Sequence, residues 1–168
     1  MKNLILVVSG ILMFISVALG GEFCPEPTQA VLLTKVISYT NQISGAPKGN
    51  VILGVLNGGP FLDHIKKAAG SASDNITVKQ VSQSDLQDVN VLYIPKGTSK
   101  DIVQAVSQIA KQKKIFTVSG DSNFLIEFDL TLTFHLVDNK ARMVIGLNSA
   151  EEEGVKFNAT LLKIAEKK

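Results

Sequence analysis

The chain has 168 residues, a length that suits one domain and can bury a core without metals or disulfides. A formal net charge of +2 offers neither the basic footprint of a nucleic-acid binder nor a polybasic membrane patch. The one cysteine, Cys24, rules out an intrachain disulfide and leaves either a free thiol or a bridge between chains.

The first residues read as an export signal. Lys2 precedes an apolar run from Leu4 to Leu19, and Ala18-Leu19-Gly20 places small residues at −3 and −1 of a cleavage site. The run is short for a membrane span, which takes roughly 20 apolar residues. Residues 1–20 are therefore expected to be a cleaved signal, and residues 21–168 one domain that works outside the cytoplasm.

From Pro25 to Ile43 the spacing predicts a helix, with Thr28 as cap and Leu33, Val36, Ile37 and Ile43 on its apolar face. Val51–Leu56 is a continuous apolar run between turn residues, as in a strand buried on both faces. Asn57-Gly58-Gly59 ends it, and Pro60 opens a second helix that closes at Gly70. Strands are expected at Ile76–Val81, Val89–Ile94 and Ile115–Val118. Between the last two, a helix capped by Thr98 carries Ile102, Val103, Val106, Ile109 and Ala110 on one stripe. Ser119–Asn123 reads as a turn. Alternation around Leu132 and Phe134, then Asp138-Asn139, then Ala141 and Met143 predicts a β-hairpin. Asn148–Glu153 reads as a short helical segment, and Asn158 as the cap of a last helix with Leu161 and Leu162 in the core. The fold expected is α/β, a single domain. Its mixed, mostly parallel sheet should have about five or six strands flanked by helices and end in a C-terminal hairpin.

The C-terminal third also resembles the YfiR-like family of periplasmic regulatory proteins. Asp138-Asn139-Lys140-Ala141-Arg142 matches the hairpin turn of that family. Gly154-Val155-Lys156-Phe157-Asn158 and Leu161-Leu162-Lys163-Ile164-Ala165 match its closing segment. Upstream, Lys35–Thr40, the strand into Asn57-Gly58, Val91–Ile94 and Ile115–Ser119 agree in order and spacing. Four features depart from the pattern. Asp129-Leu130 stands where the family has a glycine pair, Gly146 replaces the hairpin asparagine, Asn158 stands for the serine before the last helix, and the family's cysteine pairs are missing. The resemblance implies a regulator that represses a membrane-bound diguanylate cyclase, or serves a sensor kinase, by binding its periplasmic region. It implies no catalysis in the exported domain.

The residues themselves supply few catalytic candidates. His64 and His135 are the only histidines, too few for a zinc site without carboxylates, and no cofactor motif is present. Ser119-Gly120-Asp121 is not a nucleophile elbow. Asn57, Gly58 and Gly59 form a candidate ligand or interaction turn, since ligands of α/β folds bind at the carboxyl ends of strands. Tyr39, Phe61 and Phe124 are candidate interface aromatics. Glu151-Glu152-Glu153 and the lysines at 111–114 read as solvated faces. A homodimer is left open, and nucleic acid is not expected as a partner. Two other readings compete with the regulator: a periplasmic small-ligand-binding or sensor module, and a hydrolase of unfamiliar type.

Overall fold

The computed structural model describes residues 22–46, 50–72 and 75–168, so the leader reading of residues 1–20 lies outside the described residues. In chain order the elements are β1 (Glu22–Phe23), α1 (Glu26–Ser38), β2 (Thr40–Gln42), β3 (Val51–Leu56), α2 (Pro60–Ala72), β4 (Ile76–Val81), β5 (Val91–Ile94) and α3 (Lys100–Lys113). There follow β6 (Phe116–Ser119), α4 (Ser122–Glu127), β7 (Leu132–Val137), β8 (Lys140–Ile145), α5 (Leu147–Glu152), β9 (Lys156–Phe157), α6 (Ala159–Ile164) and β10 (Glu166–Lys167).

The main sheet has the order β10-β8-β7-β6-β5-β3-β4. Strands β4, β3, β5, β6 and β7 are parallel, and β8 returns antiparallel to β7. This is the mixed, mostly parallel sheet expected, built, among the described residues, on six strands of four or more residues. Two short strands extend it. β10 adds to β8, and β1 pairs with the far half of β7, opposite His135 and Leu136, beyond the reach of β6. β2 and β9 form a separate two-stranded ribbon.

Both faces of the sheet are covered, which explains the unbroken apolar runs. Leu53 and Val55 of β3, with Val91 and Tyr93 of β5, face a core shared with Leu33 and Val36 of α1, Ile65 of α2 and Leu161 of α6. The alternate residues Leu56, Leu92 and Ile94 face Val103, Val106 and Ala110 of α3. The period of two thus assigns each strand residue to one helical layer.

Several departures from the sequence expectations have identifiable causes. The first helix stops at Ser38, because Thr40–Gln42 is drawn into β2 by pairing with β9. Its cap position is Pro25 rather than Thr28, with no side-chain cap bond. The second helix runs past Gly70 to Ala72. Thr98 does not cap α3; its hydroxyl closes the preceding turn on the Pro95 carbonyl at 2.7 Å, and Ser99 takes the cap position. The stretch from Ser119 is more than a turn. Asp121 accepts the Asn123 amide at 3.0 Å and so caps the extra helix α4.

The hairpin and last helix agree with the sequence. Asp138 and Asn139 have φ of +50° and +58°, the pair of positive values that a two-residue hairpin with native twist requires. Asn158 caps α6 by accepting the Leu161 amide at 2.8 Å. Leu161 is buried, but Leu162 is only partly so and packs against the core from its edge.

The departures from the family pattern also take structural form. Asp129 has φ +50°, so it retains the left-handed conformation a glycine adopts freely and aspartate tolerates. Leu130 is fully buried beside α3 and α4. Gly146 occupies the cap position of α5, and a Cβ there would lie 2.6 Å from the Leu130 carbonyl oxygen.

Candidate interaction site

Strand order reverses between β3 and β5, since β4 lies outside β3 on one side and β5, β6 and β7 follow on the other. In open α/β sheets the crevice at such a reversal, beyond the carboxyl ends of the strands, is the usual ligand position. Asn57, Gly58 and Gly59 are there, at the end of β3, with φ of +56°, +71° and +92°. A side chain at Gly58 would be strained by that φ and would place its Cβ 2.7 Å from Gln80 Oε1.

The space under this turn is filled by the protein itself. Phe61, in the first turn of α2, stacks on Tyr93 of β5 with ring centroids 3.5 Å apart. The Tyr93 hydroxyl donates to Gln29 Oε1 at 3.0 Å, and Gln29 Nε2 donates to the Cys24 carbonyl at 2.6 Å. Lys96, in the loop after β5, places Nζ 3.0 Å from the ring centre of Phe23. β1 and the start of α1 are therefore fastened across the reversal point. Burial, then the neighbouring Glu26 and Cys24, push the Tyr93 hydroxyl far above the usual phenol range, so it is a neutral hydrogen-bond donor.

Of the three aromatic interface candidates, only Tyr39 is exposed, at 57%. It ends α1. Phe61 is buried against Tyr93, and Phe124 is buried on α4 edge-to-face with Phe128. Both are core residues, because their helix faces point at the sheet.

Cys24 is 3% exposed and belongs to the core cluster under α1. Burial raises its thiol above the ordinary value. An interchain disulfide would require this segment to open. A thiol reagent should accordingly modify the native protein orders of magnitude more slowly than the denatured chain. Equal rates in the two states would show that the N-terminal segment is not seated.

One constellation was not legible in the sequence. Glu153, counted among solvated glutamates, is 0% exposed. Its Oε2 accepts from the Thr117 amide at 2.8 Å and the Thr131 hydroxyl at 2.6 Å, and its Oε1 from the Thr117 hydroxyl at 2.6 Å. Thr117 Oγ1 in turn accepts the Thr131 amide at 3.0 Å. Desolvation pushes the carboxyl up to about 7, against the pull of those donors and of Lys111. The one available signal was a threonine inside each of two otherwise apolar strand regions.

The histidines stay apart. His135 of β7 faces Glu166 of β10 at 3.4 Å, and His64 lies on α2. No group of three potential metal ligands occurs among the described residues. Nor, among those residues, is any helix long and apolar enough to cross a membrane. Between α1 and α2 runs an open groove of about 390 Å³, lined by residues of both helices that include Val31, Lys35, His64 and Lys67.

Comparison with known proteins agrees with this architecture. The family model described as YfiR/HmsC-like matches residues 27–166. No curated protein matches the chain. A conserved domain protein from Vibrio cholerae O1 biovar El Tor is similar at a TM-score of 0.64 and 13% identity, over 88% of this chain and 61% of that one. The ABC domain of Streptococcus pneumoniae, solved in complex with L-Trp, is similar at a TM-score of 0.65 and 12% identity, over 82% of this chain and 59% of that one. At such identities the likeness is one of fold alone. The chain spans about three-fifths of the length of these two structures.

Proposed function

The chain belongs to the YfiR/HmsC-like family, and from that premise we propose that it is a periplasmic, non-enzymatic regulator of cyclic-di-GMP signalling. It binds the extracytoplasmic part of a membrane signalling protein, a diguanylate cyclase in the first instance, and represses its output. The observation that carries this reading is the family match, which runs from the start of α1 into the last strand. The burial of the perturbed groups supports it. Glu153 and Tyr93 are both 0% exposed, out of reach of any substrate, so their chemistry serves the fold. A regulator of this kind needs only to bind one state of its receptor better than the other. Tenfold repression corresponds to about 1.4 kcal/mol of differential affinity.

Deleting the gene should raise intracellular cyclic-di-GMP, and the tagged full chain should retain a membrane cyclase. Unchanged cyclic-di-GMP, unchanged output of any adjacent sensor kinase and no retained membrane protein would together overturn the reading. That result would favour a small-ligand module acting at Asn57–Gly59, where Phe61 and Gln29 would have to yield to admit a ligand.

A further inference from the structure

We propose that the groove between α1 and α2 is the docking site for an acidic amphipathic helix of the protein partner. This deepens the regulator reading and rests on it for the partner's role, not for the chemistry of the groove.

The first turns of α1 and α2 meet over the same residue, since Gln29 bonds the Tyr93 hydroxyl and Phe61 stacks on its ring. The two helices therefore start together and run side by side. The groove wall on α1 is Pro27, Val31, Thr34 and Lys35; on α2 it is His64, Lys67, Ala68 and Ser71. Each set spans two helical turns at spacings of three and four, the periodicity of a helix face. A trough two turns long between paired helices is the shape into which a third helix packs.

Its chemistry is one-sided. The floor is apolar, and Val31 is 48% exposed. Tyr39, the residue that ends α1, is also exposed, at 57%. The two hydroxyls of the lining are already bound to backbone, Thr34 to the Val31 carbonyl and Ser71 to the Lys67 carbonyl. Lys35, Lys67 and His64 supply the remaining polar groups, and among the described residues no carboxylate lines the groove. Among the described residues no ion pair engages these three side chains. An apolar strip flanked by two lysines is complementary to a helix with leucine-like residues on one face and Asp or Glu beside them. A small ligand fits less well, because such ligands are held in sites that enclose most of their surface, and this groove is only partly enclosed.

Two variants test the site, Lys35→Glu/Lys67→Glu and Val31→Asp; all three residues are exposed, so the melting temperature should stay within a few degrees. If deletion of the gene raises cyclic-di-GMP, both variants should fail to restore repression. Full complementation by both would overturn the groove and leave the regulator reading intact. If deletion has no effect, the regulator reading fails, and the groove is judged in vitro. The probe is then a synthetic helical peptide of about 18 residues, five turns, with leucines three and four apart flanked by glutamates. The charge reversal should weaken its binding at least tenfold. No binding, or equal binding to the double variant, would overturn the proposal. So would occupation of the groove by dodecanoate in preference to the peptide, or a concentration-dependent dimer of this chain abolished by Val31→Asp.

Discussion

Replacing Glu153 with alanine is expected to destabilise the protein by on the order of 4 kcal/mol, a large share of the ~5–15 kcal/mol that holds a typical domain together. The carboxylate is the acceptor for three donors in a site closed to water: the Thr117 amide, the Thr117 hydroxyl and the Thr131 hydroxyl. Alanine leaves a cavity and strands the amide, which cannot turn away as a hydroxyl can.

The glutamine variant gives the sharper measurement. Burial holds the Glu153 carboxyl near 7 in the folded protein, above its ordinary 4.5. Below pH 4.5 both folded and unfolded chains carry the proton, and this group imposes no penalty. As pH rises from 4.5 toward 7 the unfolded chain ionises first, so stability is lost across that window and levels off above it. The total is on the order of 3 kcal/mol. The groups that face it are Lys111 from α3 and the two threonines from the strand regions. Glu153→Gln keeps one acceptor oxygen but turns an NH₂ toward a donor, a cost that does not vary with pH. Denaturant titrations should therefore show the stability of wild type relative to Glu153→Gln falling from pH 4.5 to pH 7. A gap that stays constant over this range would mean that Glu153 is not held protonated by the fold.

The second large effect is expected at Gly146. Restoring the family's asparagine there should cost roughly 1–3 kcal/mol, because the new Cβ would lie 2.6 Å from the Leu130 carbonyl oxygen. Neither side can yield easily. The Gly146 amide is bonded to the Thr131 carbonyl at 2.9 Å, the Leu130 amide is bonded to the Leu125 carbonyl at 3.0 Å, and Leu130 is anchored in the core. Two of the departures from the family pattern, at Leu130 and Gly146, are thus neighbours, and they should be coupled. Leu130→Gly alone loses a buried leucine, but it also frees the backbone at 130 to move off residue 146. In a double-mutant cycle, Gly146→Asn should cost less in the Leu130→Gly background, with a coupling of about 1 kcal/mol. Strict additivity would show that the close approach is relieved elsewhere.

Most of the frame was legible because it depends on local patterns. Val51–Leu56 had to be a strand covered on both faces, since six apolar residues in a row have no polar side to show water. Asp138-Asn139 had to turn a hairpin, since few residue pairs accept two successive positive φ values. Asn158 was a cap because its short side chain reaches a free amide three residues on. The family resemblance rested on these same segments in order, and the family match covers them.

Apart from local caps and helix ends, what the sequence misassigned are features that need a distant partner. Thr40–Gln42 continues a helical pattern and becomes a strand only because Lys156–Phe157 lies alongside it. Glu153 has the appearance of a solvated acid in a run of three, and only the packing of the α5 terminus over Thr117 and Thr131 removes it from water. Phe61, Phe124 and Tyr39 are indistinguishable by type, yet two face the sheet and one faces solvent. Local spacing determines which element a residue joins. Burial, charge state and exposure are decided by what the rest of the chain brings to the other side.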